Sequence, residues 1–224
     1  MLMSLAGLID HTLLKPEAAK ADITRLCHEA QTYGFAAVCV NPIWVSHAAR
    51  ILSGCSTVVC TVIGFPLGAT TTEVKVYEAR QALESGAREI DMVLAIGPLK
   101  DQDFSFVKAD IQAVVNLTHQ YQALCKVIIE TALLTNEEKV QACKIIQSAG
   151  ADFVKTSTGF SQGGATVSDV MLLRQSVGET IGVKAAGGIR SREMAEQLIA
   201  AGATRIGTSN GVAILQGTQV SPAY

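Results

Sequence analysis

The hydrophobic and polar positions of this chain follow one repeating pattern. An amphipathic stretch ends at a glycine between small residues, and a short run of β-branched and aliphatic residues follows, as around Gly86, Gly150 and Gly202. Glycine just past a helix supplies the left-handed conformation that ends it, and a continuous apolar run is typical of a strand buried on both faces. The pattern therefore predicts helices that alternate with parallel strands.

Eight strands and eight helices are predicted on this basis. The strands are residues 8–12, 36–41, 57–63, 89–95, 124–130, 152–156, 181–186 and 204–207. The helices are residues 17–33, 42–53, 70–85, 103–121, 135–149, 166–177, 191–201 and 209–216. Eight such units within 224 residues describe an α/β protein with one domain, a (β/α)8 TIM barrel over residues 1–224. Residues 217–224 are predicted to form a flexible tail.

Glycines near the end of the chain distinguish this barrel from an open doubly wound sheet. No G-x-G-x-x-G segment follows the first strand, whereas Gly187-Gly188 and the segment 207–211 (GTSNG) follow the last two strands. In (β/α)8 barrels the last two loops commonly form a phosphate site. The backbone amides predicted to approach an anion belong to Gly187, Gly188, Gly207, Thr208 and Ser209. Ordinary turn glycines are the alternative interpretation.

Two lysines stand where buried strands should end, Lys155 in FVKTSTGF and Lys184 in GVKAAGGIR. Desolvating an ammonium group costs several kcal/mol unless a partner offsets the loss, so packing alone is a poor reason for these positions. Strand alternation turns both lysines, with Asp91 of the fourth strand, toward one cavity. Three further charged residues are candidates for the same interior: Asp10, Lys126 and Glu130, the last two on one face of the fifth strand. A snorkelling or ion-paired side chain is the alternative for each lysine taken singly.

Two like charges placed together predict amine chemistry. A free lysine has a pKa of about 10.4, but a nearby cation and partial burial favour the neutral amine. That amine adds to a carbonyl to form a Schiff base, whose iminium allows a neighbouring C–C or C–H bond to break. One lysine would be the nucleophile and the other its electrostatic activator, while Asp91 would move protons.

Composition and charge exclude several classes of protein. Lys and Arg number 18 against 20 Asp and Glu, so there is no basic excess to bind a nucleic acid or a membrane surface. The N-terminal segment meets Asp10, His11 and Lys15 too early for a signal peptide, which predicts a cytoplasmic protein. The six cysteines form no C-x-x-C pair and are expected to be reduced. The four histidines lack metal-binding spacings, so no metal is expected.

Six segments in order resemble the deoxyribose-phosphate aldolase family: DHTLLKP, EIDMV, KVIIET, FVKTSTGF, GVKAAGGIR and GTSNG. The resemblance covers essentially the whole chain, and FVKTSTGF is its most specific motif. It implies reversible aldol cleavage of 2-deoxy-D-ribose 5-phosphate to acetaldehyde and D-glyceraldehyde 3-phosphate, in deoxyribonucleotide catabolism, with no cofactor. It also implies that Lys155 forms the Schiff base, Lys184 lowers the pKa of Lys155, and Asp91 assists proton transfer.

The resemblance assigns further roles around this centre. Thr12 and Cys39 are expected to approach the substrate, with Asp10 and Lys126 behind the reacting groups. The phosphate is expected on Gly159, Gly187, Gly188, Gly207 and Ser209. Phe160 stands where some family members carry lysine, which predicts weaker affinity for phosphorylated substrates.

Two residues carry predictions of their own. Cys39 is expected to be the thiol most exposed to reactive aldehydes, because alternation places it beside the end of the second strand; a buried, inert thiol is the alternative. Tyr224 is predicted to reach the site from the tail and to exchange the enamine proton, and a frayed end without a role is the alternative.

Partners and competing functions complete the expectation. Small phosphosugar and aldehyde substrates are the expected partners, together with further copies of the chain, with a dimer favoured over larger assemblies. A phosphosugar isomerase or epimerase would use the same glycine loops with a Glu, Asp or Cys base and no activated amine. A non-catalytic phosphosugar-binding protein would keep the loops without two clustered lysines. Borohydride trapping of a Schiff base separates both alternatives from an aldolase.

Overall fold

The computed structural model describes residues 4–218. Within them eight parallel strands close into one barrel in sequence order: β1 Ile9–Leu13, β2 Ala37–Val40, β3 Val58–Ile63, β4 Glu89–Val93, β5 Leu124–Ile128, β6 Phe153–Lys155, β7 Gly182–Ala186 and β8 Arg205–Thr208. The helices of the same residues are α1 Lys20–Tyr33, α2 Val45–Ile51, α3 Thr72–Glu84, α4 Ile96–Lys100, α5 Phe104–Gln120, α6 Asn136–Ser148, α7 Val167–Val177, α8 Arg192–Ala200 and α9 Gly211–Gln216. Short 3-10 turns cover Leu5–Leu8, Pro42–Trp44 and Thr131–Leu133.

The predicted (β/α)8 barrel is confirmed, with shifts at the ends of its elements. Strands β1 and β8 begin and end one residue later than predicted, and β4 and β5 each end two residues earlier. Both early endings have a local cause in the backbone. Ala95 is the residue that caps the start of α4, so β4 ends before it. Glu130 takes a left-handed conformation with φ of 52°, which a strand does not contain. Apolar residues thus continue beyond the last residue of each strand. Hydrophobicity alone therefore does not show where β4 and β5 end.

Helix α4 was not predicted, because its sequence IGPLK contains glycine and proline. Proline is tolerated in the first turn of a helix, where its missing N–H would have no partner. By contrast, the helix predicted over residues 135–149 is confirmed as α6, and a capping box marks its start. The Thr135 hydroxyl accepts from the Glu138 amide at 3.2 Å, and the Glu138 carboxylate accepts from the Thr135 amide at 2.8 Å.

The strand register brings the inward-facing positions to shared levels of the barrel. Lys155 of β6 lies opposite Lys184 of β7, and Asp91 of β4 lies opposite Lys126 of β5. Side chains two residues apart on a strand share a face. The barrel interior therefore collects charged groups from neighbouring strands, while the outward faces pack against the helices.

No helix within residues 4–218 is long and apolar enough to cross a membrane.

A buried ion pair joins α3 to α5 outside the barrel. The Lys75 ammonium donates to Asp110 Oδ2 at 2.6 Å, and the Thr72 hydroxyl donates to Asp110 Oδ1 at 2.8 Å. Both charged side chains are almost completely buried. The Lys75 stem also covers Gly64, just after β3, so this pair connects two helices to a loop at the C-terminal end of the barrel.

Substituting Lys75 should destabilise the fold more than removing an exposed pair. Lys75→Met leaves Asp110 charged and buried, and we expect a loss of about 3 kcal/mol in the free energy of unfolding. Lys100→Met, which removes the more exposed contact with Glu138, should cost far less. Urea denaturation measures both. The double variant Lys75→Met/Asp110→Leu should recover much of the loss, and no recovery would contradict the buried-charge explanation.

Candidate active site

The centre of the barrel is organised by one carboxylate. Asp91 Oδ2 accepts from the ammonium groups of Lys155 and Lys184, each at 2.7 Å, and Asp91 Oδ1 accepts from Lys126 at 2.8 Å. All four side chains are buried, and they come from four successive strands, β4 to β7. The structure thus brings together three of the lysines and the carboxylate that the sequence singled out.

A second group of charges contacts the lysines around Asp91. Asp10 accepts from Lys184 at 2.5 Å and from Arg205 at 2.6 Å. Glu89 pairs with Lys126 at 2.6 Å and with Arg205 at 3.1 Å. Sequence reasoning missed Glu89 and Arg205. Alternation could have found both, because Glu89 precedes Asp91 by two residues and Arg205 stands two before Gly207 of the phosphate loop.

Burial and charge act in opposite directions on these groups. Burial alone would raise the pKa of Asp91, but the three lysines outweigh it and hold that pKa well below its usual range. Burial likewise would raise the pKa of Asp10, yet Lys184, Lys126 and Arg205 lower it. Lys184 shows the converse, since Asp10 and Asp91 overcome its desolvation and raise its pKa above the ordinary lysine value. Asp10 and Asp91 therefore remain ionised, and Lys184 remains a cation.

The number of charges sets Lys155 apart. Three carboxylates, Asp10, Glu89 and Asp91, face four cations. Three of those cations touch two or more of the carboxylates: Lys126, Lys184 and Arg205. Lys155 contacts Asp91 alone. Lys155 therefore has the fewest carboxylate partners of the four cations.

A cavity of about 390 Å³ opens from Lys155 to the C-terminal face of the barrel. Lys155 and Thr12 lie on its walls, and the Thr12 hydroxyl donates to the Asp10 carbonyl at 2.9 Å. The predicted phosphate residues also line it: Gly159, Gly187, Gly188, Gly207 and Ser209. Two exposed cations that sequence reasoning missed, Lys15 and Arg190, stand at the same cavity. The opening thus combines a buried amine with a basic, glycine-rich rim.

The glycine loops are held together by backbone contacts. Gly187 and Gly188 have φ values of 92° and 76°, which side-chain-bearing residues rarely adopt. The Gly187 carbonyl accepts from the Ala165 amide at 3.0 Å, and a β-carbon on Gly164 would lie 2.4 Å from that carbonyl oxygen. The loop after β6 therefore packs directly on the loop after β7, and Gly164 permits the approach.

Cys39 corrects one expectation. Its side chain is completely buried, and the exposed thiol among the six cysteines is Cys55. Alternation did place Cys39 inside the barrel, but Cys60 of the neighbouring strand fills the adjacent space and lowers the pKa of Cys39 by hydrogen bonding. The sulfurs of both cysteines and an Asp91 oxygen lie within 4.8 Å of one another. Both Asp91 oxygens already accept from ammonium groups. Asp91 is therefore better suited to these ion pairs than to binding a metal ion together with the two cysteines.

One further expectation changes, and another falls outside the described residues. Glu130 lies beyond the end of β5 and does not share a strand face with Lys126. Its Oε2 accepts from the Thr158 amide at 3.2 Å and from the Thr158 hydroxyl at 2.5 Å, so it anchors the loop after β6. Tyr224 lies outside the described residues, and its part in proton exchange stays a prediction.

Comparisons with known proteins agree on one family. Residues 5–217 match the DeoC/LacD family aldolase. The chain is 58% identical over 221 residues to a deoxyribose-phosphate aldolase of Geobacillus sp. (strain WCH70), covering 99% of both chains. It is 60% identical over 215 residues to the deoxyribose-phosphate aldolase of Listeria innocua, covering 96% of each.

Solved structures agree with these sequence relatives. A putative deoxyribose-phosphate aldolase from Coccidioides immitis superposes with a TM-score of 0.91 at 43% identity, over 95% of this chain and 84% of that one. A tetrameric deoxyribose phosphate aldolase from Aeropyrum pernix gives a TM-score of 0.89 at 37% identity, over 95% and 89%.

Gly164→Ala should displace Gly187 and weaken anion binding at the rim. Because one or two amide hydrogen bonds would be lost, we expect affinity for inorganic phosphate to fall by about tenfold. Gly97→Ala is the matched control, since a β-carbon there meets nothing within 4 Å. Calorimetric titration with phosphate compares the two. Equal affinity in both variants would show that the loop contact does not shape the anion site.

Proposed function

The chain belongs to the DeoC/LacD family of aldolases, and we propose that Lys155 performs its aldol chemistry with Lys184 and Asp91. The reaction is the reversible cleavage of 2-deoxy-D-ribose 5-phosphate to acetaldehyde and D-glyceraldehyde 3-phosphate. One observation carries the assignment of roles. Lys155 is the lysine of the central cluster that lines the cavity, and it has the fewest carboxylate partners there.

Lys184 is suited to activate Lys155 rather than to react. Two carboxylates hold it at 2.5 and 2.7 Å, and its side chain is completely buried. Because both ammonium groups contact Asp91 Oδ2, their nitrogens are at most twice 2.7 Å apart. A permanent cation at that range disfavours a second positive charge on Lys155. Lys155 is then free to act as the nucleophilic amine.

Cleavage begins when the neutral Lys155 amine adds to C1 of the open-chain sugar. Loss of water from the carbinolamine leaves an iminium ion, which draws the electron pair of the C2–C3 bond toward the nitrogen. As that bond breaks, the C3 hydroxyl loses its proton and D-glyceraldehyde 3-phosphate departs. The enamine on Lys155 is then protonated at C2 and hydrolysed, which releases acetaldehyde and restores the amine.

Asp91 is positioned to serve these proton transfers. It lies 2.7 Å from the Lys155 nitrogen and shares the same oxygen with Lys184. Its ionised form stabilises the iminium cation, and once Lys155 is neutral one of its three cations is gone, which makes it a better proton acceptor. A proton can therefore pass from Lys155 through Asp91 to water or to the substrate.

The rim is suited to hold the 5-phosphate. Backbone amides of the two glycine loops provide donors, and Lys15 and Arg190 add positive charge at the same cavity. Phe160 also lines this cavity, and its ring meets Phe65 edge to face at 5.2 Å between centroids. Lys15 and Arg190 thus supply charge that Phe160 does not. Affinity for phosphorylated over unphosphorylated substrates depends on this balance.

Assembly and location form a further part of the proposal. A homo-oligomer is expected, with a dimer as the simplest form, and the tetrameric relative from Aeropyrum pernix supports self-association. We place the protein in the cytoplasm, because all six cysteines are unpaired, five of them buried. Free thiols persist in reducing compartments. Light scattering at several protein concentrations measures the assembly.

Borohydride reduction in the presence of acetaldehyde should attach a two-carbon group to Lys155 and inactivate the enzyme irreversibly. The reason is that the iminium is the species that borohydride reduces. Peptide mapping by mass spectrometry locates the group, and Lys155→Met serves as the unlabelled control. A label on Lys184 would reverse the two roles, while an unlabelled protein would exclude the Schiff base.

Lys184→Leu should lower turnover at neutral pH by about 100-fold or more. Removing this cation leaves three carboxylates facing three cations, so Lys155 keeps its proton and stays unreactive. Raising the pH toward the ordinary lysine value of about 10.4 should then recover part of the rate. Lys139→Met, which removes a 2.6 Å pair with Asp169 between α6 and α7, is the control. Near-normal neutral-pH activity of Lys184→Leu would show that burial alone activates Lys155.

A further inference from the structure

His11 lies on the outer face of β1, between the inward-facing Asp10 and Thr12, and the mechanism does not use it. The residue is 2% exposed, and its ring packs against Phe35 with 5.0 Å between the ring centroids. In the barrel it stands opposite Thr208 of β8. A polar ring therefore lies buried directly behind one of the glycine loops.

Glu29 of α1 fixes the orientation of this ring. Glu29 Oε2 lies 2.7 Å from His11 Nε2. A carboxylate can only accept, so Nε2 carries the proton and donates to it. Burial lowers the pKa of His11, although Glu29 and the Thr208 backbone oppose this, so burial favours the neutral ring. The other nitrogen, Nδ1, then presents a lone pair toward the end of β8.

The lone pair of His11 faces the loop that follows β8. A β-carbon added to Gly211 would lie 3.0 Å from His11 Nδ1 and 3.0 Å from Phe35 Cζ. Within residues 4–218, Nδ1 makes no hydrogen bond of ordinary geometry, although the Thr208 backbone lies close enough to oppose the lowering of the His11 pKa. A buried polar atom without a partner is costly, so its presence calls for a reason beyond packing. The ring acts as a surface on which the first residue of α9 rests.

The opposite side of this loop lines the cavity. We call residues 208–211 the support loop; its members Thr208, Ser209 and Asn210 face the rim. The Thr208 hydroxyl donates to the Ile189 carbonyl at 2.7 Å and accepts from the Asn210 amide at 3.0 Å, which ties the support loop to the loop after β7. A small movement of the His11 ring would therefore shift the backbone amides of the support loop that face the cavity.

We propose that His11, held by Glu29, is a positioning residue that sets the support loop for recognition of the substrate's phosphate. The proposal rests on the function proposed above, in which this rim binds the 5-phosphate. His11 touches neither the Schiff-base lysine nor the cavity, so its effect is on the phosphate end of the substrate and not on the reacting carbons.

The test compares 2-deoxy-D-ribose 5-phosphate with 2-deoxy-D-ribose, which lacks the phosphate. His11→Phe keeps a ring of similar volume but loses both nitrogens. It should raise KM for the phosphorylated sugar by about tenfold, with kcat changed by less than about twofold, a loss of about 1.4 kcal/mol in binding. The kcat/KM for 2-deoxy-D-ribose should stay within about twofold. His11→Gln retains a donor for Glu29, so its KM for the phosphorylated sugar should lie close to that of the parent protein.

A matched control comes from a second histidine–carboxylate pair. His119 Nε2 lies 3.0 Å from Asp152 Oδ2, ahead of β6 at the opposite end of the barrel. His119→Phe should leave kcat and KM for both sugars unchanged. If His11→Phe does not fold, Glu29→Ala is tested instead, because Glu29 lies on the partly exposed surface of α1. This variant should raise KM for the phosphorylated sugar about threefold.

Two results would overturn the proposal. Equal loss of kcat/KM with both sugars would give His11 a purely structural role, and unchanged KM for the phosphorylated sugar in both His11→Phe and Glu29→Ala would give it none. Acetaldehyde carries no phosphate, so borohydride trapping on Lys155 should proceed in His11→Phe as in the parent. Absence of trapping in the parent protein would instead reject the proposed aldolase mechanism, which keeps the two failures distinct.

Discussion

The buried carboxylate of Asp91 is the contact on which the centre of this protein depends. A carboxylate removed from water is strongly destabilising unless well-placed cations and hydrogen bonds compensate it. Three lysines from β5, β6 and β7 do so within 2.8 Å. Because those strands reach Asp91 only in one register, the same contacts that neutralise the charge also align the strand ends where the cavity begins.

The proposed chemistry rests on a small imbalance in this network. Asp10, Glu89 and Asp91 are matched by Lys126, Lys184 and Arg205, each of which touches at least two of the carboxylates. Lys155 is the surplus cation, at the boundary between the buried network and the cavity. A protein interior of low dielectric penalises an unmatched charge, which is the physical basis of the role proposed for Lys155.

The interior and the rim of the cavity present different chemical groups. The interior offers fixed charges that are shielded from water, which suits changes in protonation at the reacting carbons. The rim offers backbone amides and the exposed Lys15 and Arg190, which suits an anion that keeps much of its hydration. Gly164, Gly187 and Gly188 make the rim possible, since side chains there would clash or strain the backbone.

The sequence by itself determined the features that local pattern contains. The period of the apolar runs predicted the eight-stranded barrel, alternation turned Lys155, Lys184 and Asp91 inward, and paired glycines marked the rim. Helix α4 and the early ends of β4 and β5 escaped this reasoning, because buried apolar residues continue where the strands stop.

Only the tertiary structure decided which charges meet and which thiol is covered. Arg205 and Asp10 are 195 residues apart and touch only because β8 closes against β1, and Glu89 joins them from the far side of the barrel. Cys39 faces inward as alternation requires, yet Cys60 of the adjacent strand encloses it. His11 likewise gains its place behind the support loop from the pairing of the first strand with the last. Contacts of this kind depend on closure of the barrel, which joins segments that no local window of sequence contains.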